Sequence, residues 1–267
     1  MKKSTSVLFA LVFFFSAIAF SQTATLTKKS KQSSQLYQLK TYVLHSVMQE
    51  QIVDNYLKDA YLPALKKIGI TTIGVFKPKT NPTDSIKKII VLLPLQSMEQ
   101  FLSIESKLNT DKSYLTSGKT YLEAVYNQPP YVRIESIILK AFVDHPKLNP
   151  TPLRNSRANR VYELRSYESA TEAIYKNKVT MFNDGGEIKL FDLLGFNAVF
   201  YAEVISGPKM PNLMYMTTFE NQESREEHWK SFVASPEWKA LIAMEKYKNN
   251  ISHMDILFLY PTDYSDY

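Results

Sequence analysis

A chain of 267 residues, 45% hydrophobic and 22% charged, is long enough for one or two domains with a sizeable core, and its 17 tyrosines and 15 phenylalanines argue against extended disorder. The net charge of +6 is no nucleic-acid footprint: five of the lysines and no acid fall within the first 36 residues, which leaves +1 for the remainder. With no cysteine, disulfides, thiolate nucleophiles, thiolate zinc sites and a lipid anchor through cysteine are excluded.

The N-terminus reads as an export signal. Lys2 and Lys3 precede an apolar stretch from Val7 to Phe20 broken only by Ser16, and Ala19 and Ser21 put small residues where a signal peptidase reads. The stretch is about 14 residues long, shorter than the roughly 20 that a membrane-spanning helix needs. Cleavage after Ser21 is therefore expected over anchoring. The product then keeps no permanent membrane span and resides in the periplasm or outside the cell. Residues 22–35, rich in Thr, Ser, Gln and Lys, read as a flexible mature N-terminus.

The rest divides into a first unit at 36–143, a Pro-rich linker at 144–159, a second unit at 160–260 and a tail at 261–267. Tyr37-Gln38-Leu39-Lys40-Thr41-Tyr42 matches Tyr162-Glu163-Leu164-Arg165-Ser166-Tyr167 in type at nearly every position. Ile68-Gly69-Ile70 answers Leu194-Gly195-Phe196, and Tyr114 answers Trp238. In the first unit a strand is expected near 35–44. Ser46 and Gln49 form a capping box, and Met48, Ile52, Tyr56, Ala60 and Ala64 make a helical stripe that Pro63 should kink and Gly69 should end. Strands at 70–76 and 88–95, a helix at 97–108, a short helix near 114–126 and a strand at 132–142 complete it. The second unit repeats the order. A strand at 160–167 leads to a Ser169/Glu172 capping box and a helix carrying Ile174, Lys178, Val179 and Phe182, interrupted at Gly185-Gly186. Strands at 197–204 and 213–219, helices at 222–234 and 236–248, and a strand at 252–260 follow.

This is β-α-β-β-α-β twice, the order of the ferredoxin-like split unit. Apolar residues occupy both faces of these strands, so the face without helices also needs a cover. The expected class is α+β: tandem ferredoxin-like units packed sheet to sheet as an intramolecular α/β-barrel pseudo-dimer.

The second unit carries Met181-Phe182-Asn183-Asp184-Gly185-Gly186-Glu187, Leu194-Gly195-Phe196-Asn197, Val199-Phe200-Tyr201-Ala202-Glu203, a run from Met210-Pro211-Asn212 to Phe219, His228-Trp229 and Pro236-Glu237-Trp238-Lys239. In these segments it resembles the NIPSNAP family, and Pro261-Thr262-Asp263-Tyr264-Ser265 resembles the ending of exported Bacteroidetes members. The resemblance implies the dimeric α/β-barrel superfamily, whose members include cofactor-poor monooxygenases, haem-degrading enzymes, isomerases and binding-only proteins. It implies no single activity and no catalytic set. The first unit lacks the Gly-Gly, the Met-Pro-Asn run and both tryptophans, which places any site in the second unit.

Strand alternation sorts the polar residues. Glu163, Arg165 and Tyr167 share one face; Asn197, Tyr201 and Glu203 another; then Tyr215 and Thr217; then His253 and Asp255. These mixed faces are expected to point into the barrel, with the apolar faces under the helices. One reading makes this interior a small-molecule pocket: Glu163, Arg165, Asn197, Tyr201 and Tyr215 bind the ligand, and Glu203 or Asp255 serves as a base whose pKa burial raises. The other makes it a self-satisfied polar network without a ligand. His228, beside Trp229, is a candidate catalytic acid set against a packing anchor. His45, His145, His228 and His253 show no metal spacing, so neither a metal nor another cofactor is expected. The functions weighed are an exported protein that binds a small organic ligand or serves a structural role in the envelope, and a cofactor-poor monooxygenase or isomerase. Pairing into a homo-oligomer stays open.

Overall fold

The computed structural model describes residues 33–79, 85–149 and 152–267. The expected signal peptide at 1–21 lies outside the described residues, as do residues 22–32 of the expected flexible N-terminus and residues 150 and 151 of the linker.

The first unit runs β1 (Leu36–Leu44), α1 (Val47–Tyr56), a π-helical turn (Leu57–Tyr61), α2 (Leu62–Lys67), β2 (Gly74–Pro78), β3 (Lys87–Leu95), α3 (Met98–Leu108), α4 (Lys112–Ser117), α5 (Lys119–Leu122) and β4 (Arg133–Ala141). The second runs β5 (Val161–Glu168), α6 (Glu172–Phe182), α7 (Glu187–Leu193), β6 (Asn197–Ser206), β7 (Asn212–Phe219), α8 (Gln222–Ala234), α9 (Pro236–Ala243), a 3₁₀ turn (Glu245–Tyr247) and β8 (His253–Pro261). The eight strands close into one antiparallel barrel in the order β1-β3-β2-β8-β5-β7-β6-β4. Within each unit the first strand lies between the third and the fourth. The second strand of either unit meets the fourth strand of the other. One seam joins Phe76 opposite Pro261 to Pro78 opposite Leu259. The other joins Ile138 opposite Ser206 to Ala141 opposite Ala202 and carries an irregularity between Ile138 and Leu139. Closure removes free sheet edges, which would otherwise offer unpaired backbone groups to other chains. The tandem ferredoxin-like architecture read from the sequence is the one observed.

Local chemistry explains most element ends. Ser46 Oγ accepts from the Gln49 amide at 3.1 Å, and Gln49 Oε1 accepts from the His45 amide at 2.8 Å. Pro63 splits the helix, as expected, at the turn that precedes it. It lacks an N–H for the carbonyl four residues back and crowds it, and the helix widens there into the π turn before α2 resumes. The cap of α6 is Thr171, which accepts from the Ile174 amide at 3.2 Å, and not Ser169, whose hydroxyl donates to the Asn250 carbonyl at 2.7 Å. Gly186, at φ +86°, turns the chain from α6 into α7 in the left-handed region that favours glycine.

One expectation inverts. The barrel interior is the apolar face. All eight strands contribute to it, with Leu39, Phe76, Ile90, Leu139, Leu164, Phe200, Met216 and Leu259 among the buried residues. The mixed faces of β5, β6 and β7 lie outside, beneath the second unit's helices, where Tyr167, Tyr201, Leu213 and Tyr215 pack against Phe182, Phe191 and Phe232. In the second unit β8 alone faces as expected, with Asp255 and Leu257 toward the barrel and Phe258 under the helices. A barrel interior must be filled by side chains from both sheets at once, and few polar groups there could find partners. Helices bring polar side chains of their own, so the face they cover tolerates polar residues better.

One end of the barrel is closed by the last residues. The Thr262 amide donates to the Val75 carbonyl at 2.9 Å and the Asp266 amide to the Ile73 carbonyl at 3.0 Å. Tyr267 is thereby set against Phe76 and Tyr162, with ring centroids 5.7 and 6.4 Å away. No helix among the described residues is long and apolar enough to cross a membrane.

Candidate functional site

Of the residues expected to form a site, Glu163, Arg165 and Tyr215 do come together, but in the space between the second unit's sheet and its helices. Glu163 is fully buried. Its carboxylate accepts from Arg165 Nε at 2.6 Å, from Arg225 Nε at 2.8 Å and from the Trp229 indole N–H at 2.9 Å. Burial would raise this carboxyl, but Arg225 and Arg165 outweigh it and hold it below the usual carboxylate range. Arg165 Nη1 also donates to the Tyr167 hydroxyl at 3.0 Å, which lies 2.7 Å from the Tyr215 hydroxyl. Deeper in, Lys178 Nζ donates to Glu187 at 2.8 Å, both side chains nearly without exposure. Every strong charge here has a partner, so the network reads as structure. Arg225 and Trp229 belong to it because α8 crosses the start of β5, which strand alternation alone does not reveal.

The other expected residues scatter. Tyr201 stacks on Tyr215 at 5.7 Å. Glu203, also on the outer face, accepts from the Tyr175 hydroxyl at 3.0 Å. Asn197 sits at the start of β6 and donates to the Thr218 carbonyl at 3.3 Å. His228 packs on Phe196 and Phe219, and its Nδ1 lies 2.6 Å from the Ser224 carbonyl of its own helix, as a packing anchor would. Asp255 points the other way, into the barrel mouth, because it pairs with Ser166 while Arg165 pairs with Ile256. No single site can unite Asp255 with Arg165. The Asp255 carboxyl is also lowered and not raised, since Lys209 donates to it at 2.5 Å.

The open end of the barrel, opposite Tyr267, holds a cavity of about 510 Å³. Leu39, Ile90, Ile137, Leu164, Met214 and Leu257 give it an apolar floor. Thr41, Lys88, Glu135, Ser166, Lys209, Asn212 and Asp255 form a polar rim. Strands of both units build it, so alternation within the second unit could not assemble the set. Ser166 and Asn212 are bonded at 2.8 Å and fix one side. Glu168, His253 and Asp255 bring potential metal-ligand atoms within 4.8 Å of one another. Lys209, 3.5 Å from Glu168 and 2.5 Å from Asp255, already supplies the cation there.

An eight-stranded antiparallel barrel of two ferredoxin-like units, with an apolar cavity at one mouth, defines a dimeric α/β-barrel protein. Residues 162–266 match the NIPSNAP family model. Among solved structures, a presumed monooxygenase from Lactobacillus acidophilus NCFM is similar, with 13% identity, a TM-score of 0.56 and coverage of 85% of this chain and 94% of that one. An anthrone oxidase-like protein shares 10% identity at a TM-score of 0.50, covering 87% and 93%. A NIPSNAP family protein from Agrobacterium tumefaciens str. C58 covers 40% of this chain and 96% of its own, at 20% identity and a TM-score of 0.35. No curated protein matches the chain. At these identities the first two neighbours establish the fold and nothing of the chemistry.

Proposed function

We propose that this is an exported protein that binds a small organic ligand in the open mouth of its barrel. The observation that carries the reading is the 510 Å³ cavity with its apolar floor and charged rim, within the size range of small-molecule pockets. The floor accepts a hydrocarbon or aromatic body. Lys88 and Lys209 on one hand, and Glu135 and Asp255 on the other, leave the polar end of the ligand to face solvent between charges of both signs. The test is a thermal-shift screen of the mature chain against haem, flavins, quinols and sugar acids, repeated with Met214→Trp, which fills the floor. A ligand present at 100 times its Kd stabilises by about 2.7 kcal/mol. That gain should vanish in Met214→Trp, and a gain that survives there refutes the location. Export rests on Lys2, Lys3 and the apolar run to Phe20. Cell fractionation with N-terminal sequencing should find the chain outside the cytoplasm and beginning at Gln22.

A second reading makes the cavity the site of a monooxygenase- or isomerase-type reaction, in line with the name of the Lactobacillus acidophilus neighbour. The rim disfavours it. Of its two carboxylates, Glu135 and Asp255, the second is bonded to Lys209, which makes it a weak general base.

A further inference from the structure

The two units treat the space between sheet and helices differently. In the second unit it holds the buried, mutually paired Glu163 and Arg165. In the first it holds a cavity of about 400 Å³, bounded by β1, α3, α4 and the π turn. Gln38 and Lys40 occupy on β1 the outward positions that Glu163 and Arg165 occupy on β5: each pair lies on the central strand, two residues apart, beneath the helices of its own unit. The cation is kept and the carboxylate is not. Gln38 is neutral and its amide donates to Ser136 Oγ at 2.8 Å. Among the described residues no carboxylate lies within ion-pair distance of the Lys40 ammonium. It rests instead 5.0 Å from the ring centroids of Tyr42 and of Tyr61. The walls are aromatic: Tyr61 stacks on Tyr56 at 5.5 Å, and Tyr56 on Tyr121 at 3.7 Å and 7°.

We propose that this cleft of the first unit binds a small aromatic monoanion, whose carboxylate or phenolate takes against Lys40 the place that Glu163 takes against Arg165. Three features fix the class. The single cation calls for a single negative charge. The stacked tyrosines favour a flat ring over an aliphatic body. A volume of 400 Å³ admits one or two rings. Burial lowers the Lys40 ammonium to about 8, with Glu105, an exposed residue at the edge of the same cleft, opposing. A bound anion favours the charged form, so binding takes up protons near and above that pH.

The test uses benzoate and 4-hydroxybenzoate, with neutral benzyl alcohol as control, titrated by calorimetry and followed by NMR. The wild-type chain should bind the two anions at least tenfold more tightly than the alcohol, with proton uptake that shows as a buffer-dependent heat at pH 8. Lys40→Gln removes the cation, and Gln38→Glu supplies an internal carboxylate at little change of volume; each should weaken anion binding at least tenfold. Met214→Trp, in the barrel mouth, should leave it unchanged, which separates this cleft from the cavity proposed above. No binding to wild type, equal affinity for the alcohol, or full affinity in Gln38→Glu each overturns the proposal.

Discussion

The Arg165 guanidinium lies 3.7 Å from the centre of the Trp229 ring, and both side chains donate to one carboxylate, that of Glu163. A cation, an indole and a carboxylate from β5 and α8 thus lock helix to sheet. Arg225, 5.8 Å from the same indole ring, completes the clasp.

Removing the acid should therefore cost more than the contacts suggest. Glu163→Gln leaves Arg165 and Arg225 without a counter-charge in a covered space, and breaking one partner of a buried pair typically costs about 3–5 kcal/mol. Replacing Glu163, Arg165 and Arg225 together by apolar residues of similar volume should cost clearly less than Glu163→Gln alone. Urea unfolding of both variants measures the difference.

The same carboxyl sets an acid limit. Its folded pKa is depressed. The stability it contributes is complete above its unfolded value, about 4.3, and is lost as pH falls through the folded value. Glu187 works in the opposite sense. Burial raises it despite Lys178, so its ionisation lowers stability as pH rises from the unfolded toward the folded value. Urea midpoints measured from pH 3 to 7 should fall below pH 4.3 in the wild type. In Glu163→Gln that part of the acid loss should be absent.

The plug at the closed end is a packing element. Tyr267 is 2% exposed among Phe76 and Tyr162. Tyr267→Ala should cost about 3 kcal/mol, as large aromatic truncations do. Amide exchange at Val75 and Asp266 should speed up most.

Helix α6 offers a sharp local test. Thr171→Ala should remove about 1 kcal/mol through loss of the cap. Ser169→Ala should act through Asn250 and the segment before β8. Amide exchange of Ile174 should respond to the first substitution and not to the second.

Much of the architecture was legible because it rests on local rules. The match of Tyr37–Tyr42 to Tyr162–Tyr167, the Ser46/Gln49 box and the break at Gly185-Gly186 each act within a few residues. What misled was the side of the sheet. Alternation groups Glu163 with Arg165 and Leu164 with Tyr162, yet it does not say which group looks inward. That choice depends on what the helices offer, and Arg225 and Trp229 lie about 60 residues further along the chain. The barrel mouth was illegible for a related reason: Thr41, Lys88 and Glu135 meet Ser166 and Asp255 only once two distant units share one wall.

The fusion of both units into one polypeptide frees them from symmetry. In a pair of identical subunits any change in one crevice recurs in the other. Here Gln38 stands where its counterpart is Glu163, so one crevice can be clamped for rigidity while the other keeps its charge uncommitted.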